Sequence, residues 1–451
     1  MSQASHQGGA TGVAAPPVAA ATTTAQPTAP AATTLARSGQ ARPSPTTPAP
    51  GVKRMDTPRR LRLLSVGVVV AAVVVAVVGG LIFSYLAFSL SRAKADTAQL
   101  IRVQKIQSNL LSADATATNA FLVGGLEPPA QRAVYDEALK STSSLIVEGA
   151  QAQPADAAAL SALNQQVISY AATIEQARAN NRQGLPVGAQ YLRNASADLR
   201  SSALPILDNL VSSNAARAGD EMDARVGYAL PVISLLALVV VIIGQIWLAR
   251  RFKRTINVGM LASAALLLVI TVGGLIAAQQ LSSTLNSISN GSFAAVNTAA
   301  DARIDANNAK SNESLTLIAR GSGQAFEDAW KSSADSVAGN LQRLSERPEL
   351  LTQWQSYVEV HEKIRDLDDG GRWDRAVAQA TGSGRDSSNT VFNSVDRNLA
   401  GYLDEVSQDA SSSLANEQPV MVVGAILILL GGLAAALLGR WGVAARLKEY
   451  R

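Results

Sequence analysis

The chain has 451 residues, 47% of them hydrophobic and 16% charged, with a formal net charge of +4, no cysteine and two histidines. Without cysteine no segment has a disulfide framework, and His6 and His361 alone are too few for a histidine-rich metal centre and argue against a Ser/His/Asp triad. The basic excess lies beside apolar runs and in an N-terminal tail without an acidic residue before Asp56. No basic stripe is interleaved with aromatics, so the charge speaks for membrane topology and against a nucleic-acid partner.

Residues 1–60 are rich in Ala, Pro, Thr and Gly, as in "APAATTLARSGQARPSPTTPAPG". Such a stretch buries too little apolar surface to offset its ordering entropy, which predicts a disordered tail. It serves as a spacer, or its Thr and Ser residues accept phosphate near Arg37, Arg42 and Arg54. Four runs follow without Asp, Glu, Lys or Arg: Leu63–Leu90, Tyr228–Ala249, Asn257–Ala278 and Pro419–Gly439. At ~1.5 Å per residue each crosses a hydrocarbon layer of about 30 Å, and the absence of period-two alternation excludes barrel strands. The first is too long for a signal-peptide core, although Ala93-Lys94-Ala95 follows it, so it reads as an anchor. The predicted fold is all-α, with four transmembrane helices (61–90, 228–249, 257–279 and 417–439) and two tandem extracytoplasmic four-helix-bundle modules (91–227 and 280–416).

Orientation follows from the basic flanks. Arg59, Arg60 and Arg62 precede the first span; Arg250, Arg251, Lys253 and Arg254 fill the joint at 250–256; Arg440, Arg446, Lys448 and Arg451 lie in the tail at 440–451. The positive-inside rule then puts both termini and the joint in the cytoplasm of a cell-membrane protein, with Arg92 and Lys94 dissenting.

In the first polar stretch Leu100, Val103, Ile106, Leu110, Ala113, Ala117 and Phe121 recur at steps of three and four, which predicts one helix running straight out of the span. Gly124-Gly125 and Pro128-Pro129 stop it; a second helix covers about 130–151 and a third follows Pro154. After "NNRQGLP" (180–186), a fourth is expected to pass through Leu199, Ala203, Ile206 and Leu210 into the returning span, bent at Pro205. In the second stretch Arg320-Gly321, Pro348 and residues 366–388 mark the turns, with a short helix around Trp373–Ala380. "VGGLI" recurs at 78–82 and 272–276, "YDEALKSTSSL" (135–145) resembles "FEDAWKSSADSV" (326–337), and "ILDNL" (206–210) resembles "YLDEV" (402–406). The common offset predicts a tandem duplication, a covalent pseudo-dimer.

Small residues at Gly79, Gly80, Gly273, Gly274, Gly431, Ala435 and Gly439 are candidates for close packing of the spans. Arg320, Asp368, Asp369, Arg372, Trp373 and Asp374 put an aromatic among paired charges at the expected membrane-distal tip. This is the composition of a partner-binding site, or of a Trp folded onto its own bundle. Asp114, Asn119, Arg132, Arg303 and Asp305 are candidates for a ligand pocket inside a bundle, or for internal hydrogen bonds. No carboxylate pair has a spacing that assigns acid and base roles, so no enzyme, catalytic residue, metal or cofactor is expected. The spans offer a carrier only Gln245 and a few hydroxyls. An oligomeric pore and an envelope scaffold stay open, as does homo-oligomerisation.

Span-to-bundle helices, "ADATATNAFL" (113–122) and "RRFKR" (250–254) resemble the input halves of bacterial chemoreceptors and histidine kinases, although a short basic joint stands where those have an output module. The layout over 60–451 resembles actinobacterial GlnX-type membrane proteins. That resemblance implies an amino-acid-sensing relay, in which a lipoprotein binding aspartate or glutamate docks outside and a soluble Ser/Thr protein kinase responds inside.

Overall fold

A computed structural model describes residues 57–124, 126–252 and 257–447, and every regular element among them is helical. The tail before Thr57, Lys253, Arg254, Lys448 and Arg451 lie outside the described residues, so the expectations placed on them are not addressed. Four helical stretches are long and apolar enough to cross a membrane, which makes this a multi-pass membrane protein. Their large apolar side chains remain exposed, among them Leu81, Phe88, Leu236, Ile243, Val269, Leu427 and Leu437, as a lipid-facing surface requires.

Helix α1 (Thr57–Val123) carries the first apolar run and the stripe beyond it without a break, 67 residues that rise about 100 Å. Gly124 stops it with a φ of +69°, a left-handed conformation favoured by glycine. Pro129 opens α2 (Pro129–Ala152), where a missing N–H costs nothing. A 3₁₀ turn at Pro154–Asp156 leads into α3 (Ala157–Arg182), followed by α4 (Val187–Asp198) and α5 (Leu204–Glu221). Between α4 and α5 the chain makes a π turn, Leu199–Ala203, immediately before Pro205. Pro205 has no N–H for the carbonyl of Ser201, so the ladder widens there to absorb the defect.

The expectation of unbroken helices through every membrane boundary needs correction. Beyond α5 the chain turns at Met222-Asp223, passes through a 3₁₀ segment, Ala224–Tyr228, and only then enters α6 (Ala229–Phe252). Asp223 is extended and its carboxylate accepts from the Arg225 N–H, a local bond that competes with helix continuation. Helix α7 (Val258–Asn290) likewise ends at Gly291, whose φ of −100° and ψ of −101° are not helical, before α8 (Ser292–Ile318) begins. Helices α9 (Gln324–Arg343), α10 (Pro348–Asp369) and α11 (Trp373–Thr381) follow, and α12 (Ser388–Leu447) runs unbroken through Pro419.

The apolar segments share one core, in which Leu230 is fully buried with one methyl directed at Gly79 and another at Gly274. A Cβ at either glycine would lie within 3 Å of Leu230, so the two VGGLI copies together receive one side chain. They use non-equivalent glycines to do so: Gly80 makes only ordinary contacts, and Gly273, expected at a seam, faces open space. Gly431 approaches Ile270, Gly439 approaches Val68, and Ala435 is fully buried. Gly432 meets the Ala76 backbone and Gly259 the Gly442 backbone just as tightly, backbone against backbone. Arg92 pairs with Glu221 at 2.9 Å, which balances one of the two basic residues that followed the first span.

Beyond the membrane, α1 to α5 bury Val103, Ile106, Leu110, Tyr170, Leu192 and Leu207 in one core. A second core draws on α8, α9, α10 and α12, with Trp330, Trp354, Tyr357 and Phe392 at its centre. The cores interleave: Ile101 of α1 belongs to the second, while Ile304 and Ile318 of α8 pack on the first.

Candidate functional site

The turns after α1, α3, α8 and α10 gather at the end of the bundles away from the apolar segments. There the six residues singled out as partner-binding line one cleft of about 960 Å³. Arg320 has a φ of +43°, unusual for a side-chain-bearing residue, and its guanidinium lies 3.9 Å from the Trp373 ring centre. The Trp373 indole N–H donates to the Leu317 carbonyl at 2.9 Å, which also accepts from the Arg320 N–H at 3.3 Å where α8 ends. Trp373 is thus part of its own bundle as well as the wall of the cleft. Asp368 and Asp369 accept from Arg365 at 2.7 and 2.6 Å, whereas Arg372 and Asp374 stand exposed on the rim. At the tip of the other bundle Val123, Leu126, Leu185 and Val187 are exposed, Leu126 at 83%.

The five residues proposed for a pocket do not meet in one place. Asp114 is fully buried and accepts from Ser196 at 2.6 Å, Tyr170 at 3.3 Å and Ser311 at 2.8 Å, with Arg200 at 3.1 Å. Since Ser311 is on α8, this carboxylate ties the two bundles together. Arg200, which reaches it from the π turn, also donates to Ser311. Asn119 continues the seam, accepting from Asn389 at 2.8 Å and from Gln131 at 3.1 Å. Nearer the membrane Gln104 donates to Asn297, and Lys105 pairs with Asp404. Arg132 instead pairs with Asp136 and Glu175, and Arg303 makes a two-point ion pair with Asp396. Asp305 accepts from Ser336; burial pushes its carboxyl above the usual range and that bond opposes the rise. Arg250 and Arg251 close α6.

His361, considered from sequence only as a metal ligand or triad member, lies within a buried polar network. Its ring nitrogens lie 3.2 Å from Glu313 and 3.2 Å from Glu327, and Trp330 stacks on it at 3.5 Å. Glu313 also accepts from Lys310 at 2.7 Å, Ser388 at 2.7 Å and Tyr357 at 3.1 Å. Burial alone would push the Glu313 carboxyl up, but Lys310 and His361 outweigh it and hold the group down at about 2. Burial also works against a charged imidazole, yet bonds to both glutamates raise His361 above its ordinary value. What the sequence did show was Lys310 and Glu313 three residues apart on one helix, without the partners that α9 and α10 supply. Among the described residues no group of acidic and histidine side chains has the arrangement of a metal site.

Residues 89–223 match the family model described as an actinobacterial sensor domain. Over that stretch the chain resembles a sensor. The matched region starts where α1 leaves its apolar run and ends at the break before α6, so it covers the α1–α5 part of the first core and the Asp114 side of the seam. Neither a curated protein nor a solved structure matches the chain. A sensory role in a multi-pass membrane protein is what the match and the four apolar helices support together.

Proposed function

We propose that the chain is a non-enzymatic transmembrane sensor and adaptor with its bundles outside the cell and both termini in the cytoplasm. It reports the availability of amino acids of the aspartate and glutamate type through a solute-binding lipoprotein, and its cytoplasmic segments act on a Ser/Thr protein kinase. The observation that carries this reading is the pair α1 and α12. Both run unbroken from the tip through the apolar core and pack along each other, so a displacement at the tip has a stiff path across the membrane. The Arg320–Trp373 cleft, an aromatic ring among paired charges at the tip, supplies a docking surface of anchor and charge. Duplication of a span–bundle–span unit accounts for two such cores in one chain.

Because the natural chain has no cysteine, single pairs introduced between 228–249 and 419–439 report span movement without background. Cross-linking in membranes should change when the loaded lipoprotein is added. Identical cross-linking with loaded, empty and absent lipoprotein would sink the relay. Replacing Arg372 and Trp373 should weaken lipoprotein binding while helicity is kept.

A further inference from the structure

His361 on α10 stands between carboxylates from two other helices. Glu313 of α8 and Glu327 of α9 each face one of its ring nitrogens at 3.2 Å, and all three side chains are buried. An ionised carboxylate only accepts, so both nitrogens need a proton, and only the imidazolium has two. Trp330, stacked on the ring at 3.5 Å, adds a π face that favours the cation. Burial opposes the charge, and the bonds to the two glutamates outweigh it, so the ring gives up its proton above 6.5.

The other charged and titratable groups around the ring are Lys310 of α8, Lys331 of α9, and Tyr357 and Arg365 of α10, with the Ser388 hydroxyl from α12. They hold the two glutamates unequally. Glu313 accepts from Lys310 at 2.7 Å, Ser388 at 2.7 Å and Tyr357 at 3.1 Å. Glu327 has only Arg365 at 3.4 Å and Lys331 at 3.6 Å, both beyond ordinary hydrogen-bond length. A neutral ring keeps one N–H, which serves one glutamate and leaves the other facing a lone pair. Glu327, the less anchored of the two, then turns to Arg365. Arg365 already holds Asp368 at 2.7 Å and Asp369 at 2.6 Å, and all three line the tip cleft together with Gly323 and Gln324 at the start of α9. At the other end of this chain of contacts stands Ser388, the first residue of α12, which bonds both Glu313 and Lys310.

We propose that His361 is a proton-operated latch between the tip cleft and the head of α12. With the ring protonated, α8, α9 and α10 are joined and Arg365 is left to Asp368 and Asp369. When the proton leaves, Glu327 shifts to Arg365, the first turn of α9 moves against α10, and the cleft changes shape, so the chain registers alkalinity on the side of its bundles. As a control on docking this rests on the cleft being the partner's site; as a movement of α9 on α10 it stands without that reading.

Because the natural chain has no cysteine, spin labels at Ala329→Cys on α9 and Lys363→Cys on α10, both exposed positions, report the spacing of the two helices in the full chain in lipid nanodiscs. Between about pH 6 and about pH 9 the distance should shift by about 1–2 Å, the scale of a packed-helix displacement. In a His6→Gln background the shift should follow the titration of the His361 ring resonance. His361→Gln should hold one distance at every pH. Glu327→Gln offers the ring an oxygen and an N–H, suits both protonation states, and should lower the ring's titration point and abolish the shift. The latch is overturned if the natural chain keeps one distance across this range, if the shift persists in Glu327→Gln, or if the ring titrates without it. A lipoprotein that binds at no pH while the distance still changes counts against the docking site and leaves the latch standing.

Discussion

Replacing His361 by Gln removes the charge shared by two buried carboxylates while keeping a hydrogen-bonding side chain of similar reach. The groups that face it are Glu313 and Lys310 from α8, Glu327 and Lys331 from α9, Tyr357 and Arg365 from α10, and Ser388 from α12. Breaking a buried pair costs about 3–5 kcal/mol. Here Lys310 stays on Glu313 at 2.7 Å and Arg365 on Glu327 at 3.4 Å, so the lower end, about 3 kcal/mol, is expected. For a cooperative unit of about 150–250 residues that is a fall of roughly 6–12 °C in melting temperature. The sign with pH is fixed by the direction of each shift. His361 is raised above 6.5, so its contribution is complete below that value and is lost as pH rises through the raised value. Glu313 is depressed from 4.5 to about 2, so its contribution is present above 4.5 and lost only in strong acid. Circular-dichroism melts of both proteins in detergent should therefore differ most near about pH 6 and converge as the solution turns alkaline. With His6→Gln as background, a ring-labelled histidine spectrum follows the one remaining imidazole directly. A resonance that titrates at or below the ordinary value, or a melting difference that is the same from acid to alkali, would refute the reasoning.

Gly432→Leu should cost about 1–3 kcal/mol, because its Cβ would meet the Ala76 backbone at 2.7 Å, while Gly273→Ala, with nothing within 4 Å, should be close to neutral in a detergent unfolding titration. Asp114→Ala should cost about 3 kcal/mol by leaving Arg200 without its buried partner, and should speed hydrogen exchange at both 196–203 and Ser311, which lie on opposite sides of the seam. Trp373→Phe keeps the ring but loses the bond to Leu317, so about 1 kcal/mol and a loosened α11 are expected in the same exchange experiment.

Helix existence was legible because it rests on local pattern. The stripe from Leu100 to Phe121, the Pro128-Pro129 and Pro348 starts, and the short helix at Trp373 all appear where periodicity and turn chemistry placed them. The breaks at Met222-Asp223 and Gly291 were not legible, since one Gly or Asp in an apolar-to-polar passage is also compatible with a continuing helix. The tip cluster could be assembled from sequence because its members sit within the turns at 319–324 and 366–388. The His361 network could not, because Glu313, Glu327 and His361 lie on three helices whose relative rotation no local signal specifies. Composition spoke only to a metal centre and a triad, and carried no signal for a histidine whose partners are carboxylates.

The two breaks set a condition on how any signal crosses the membrane. They occur on the inner pair of connections, α5 to α6 and α7 to α8, and the first borders a cavity of about 520 Å³ whose lining includes Asp220, Asp223 and Arg225 with Ser282, Asn286 and Ser289 of α7. The outer pair, α1 and α12, has no such joint. A displacement of α5 is absorbed where helical hydrogen bonds stop, whereas a displacement of α12 moves its span, because bending an intact helix strains every turn of its ladder. Inserting Gly-Gly after Leu414 in α12 should therefore abolish any ligand-dependent change in span cross-linking, and the same insertion between Met222 and Asp223 should leave most of it. Equal losses from both insertions would mean that the broken pair carries the movement too, and that the continuity of α1 and α12 is a matter of stability alone.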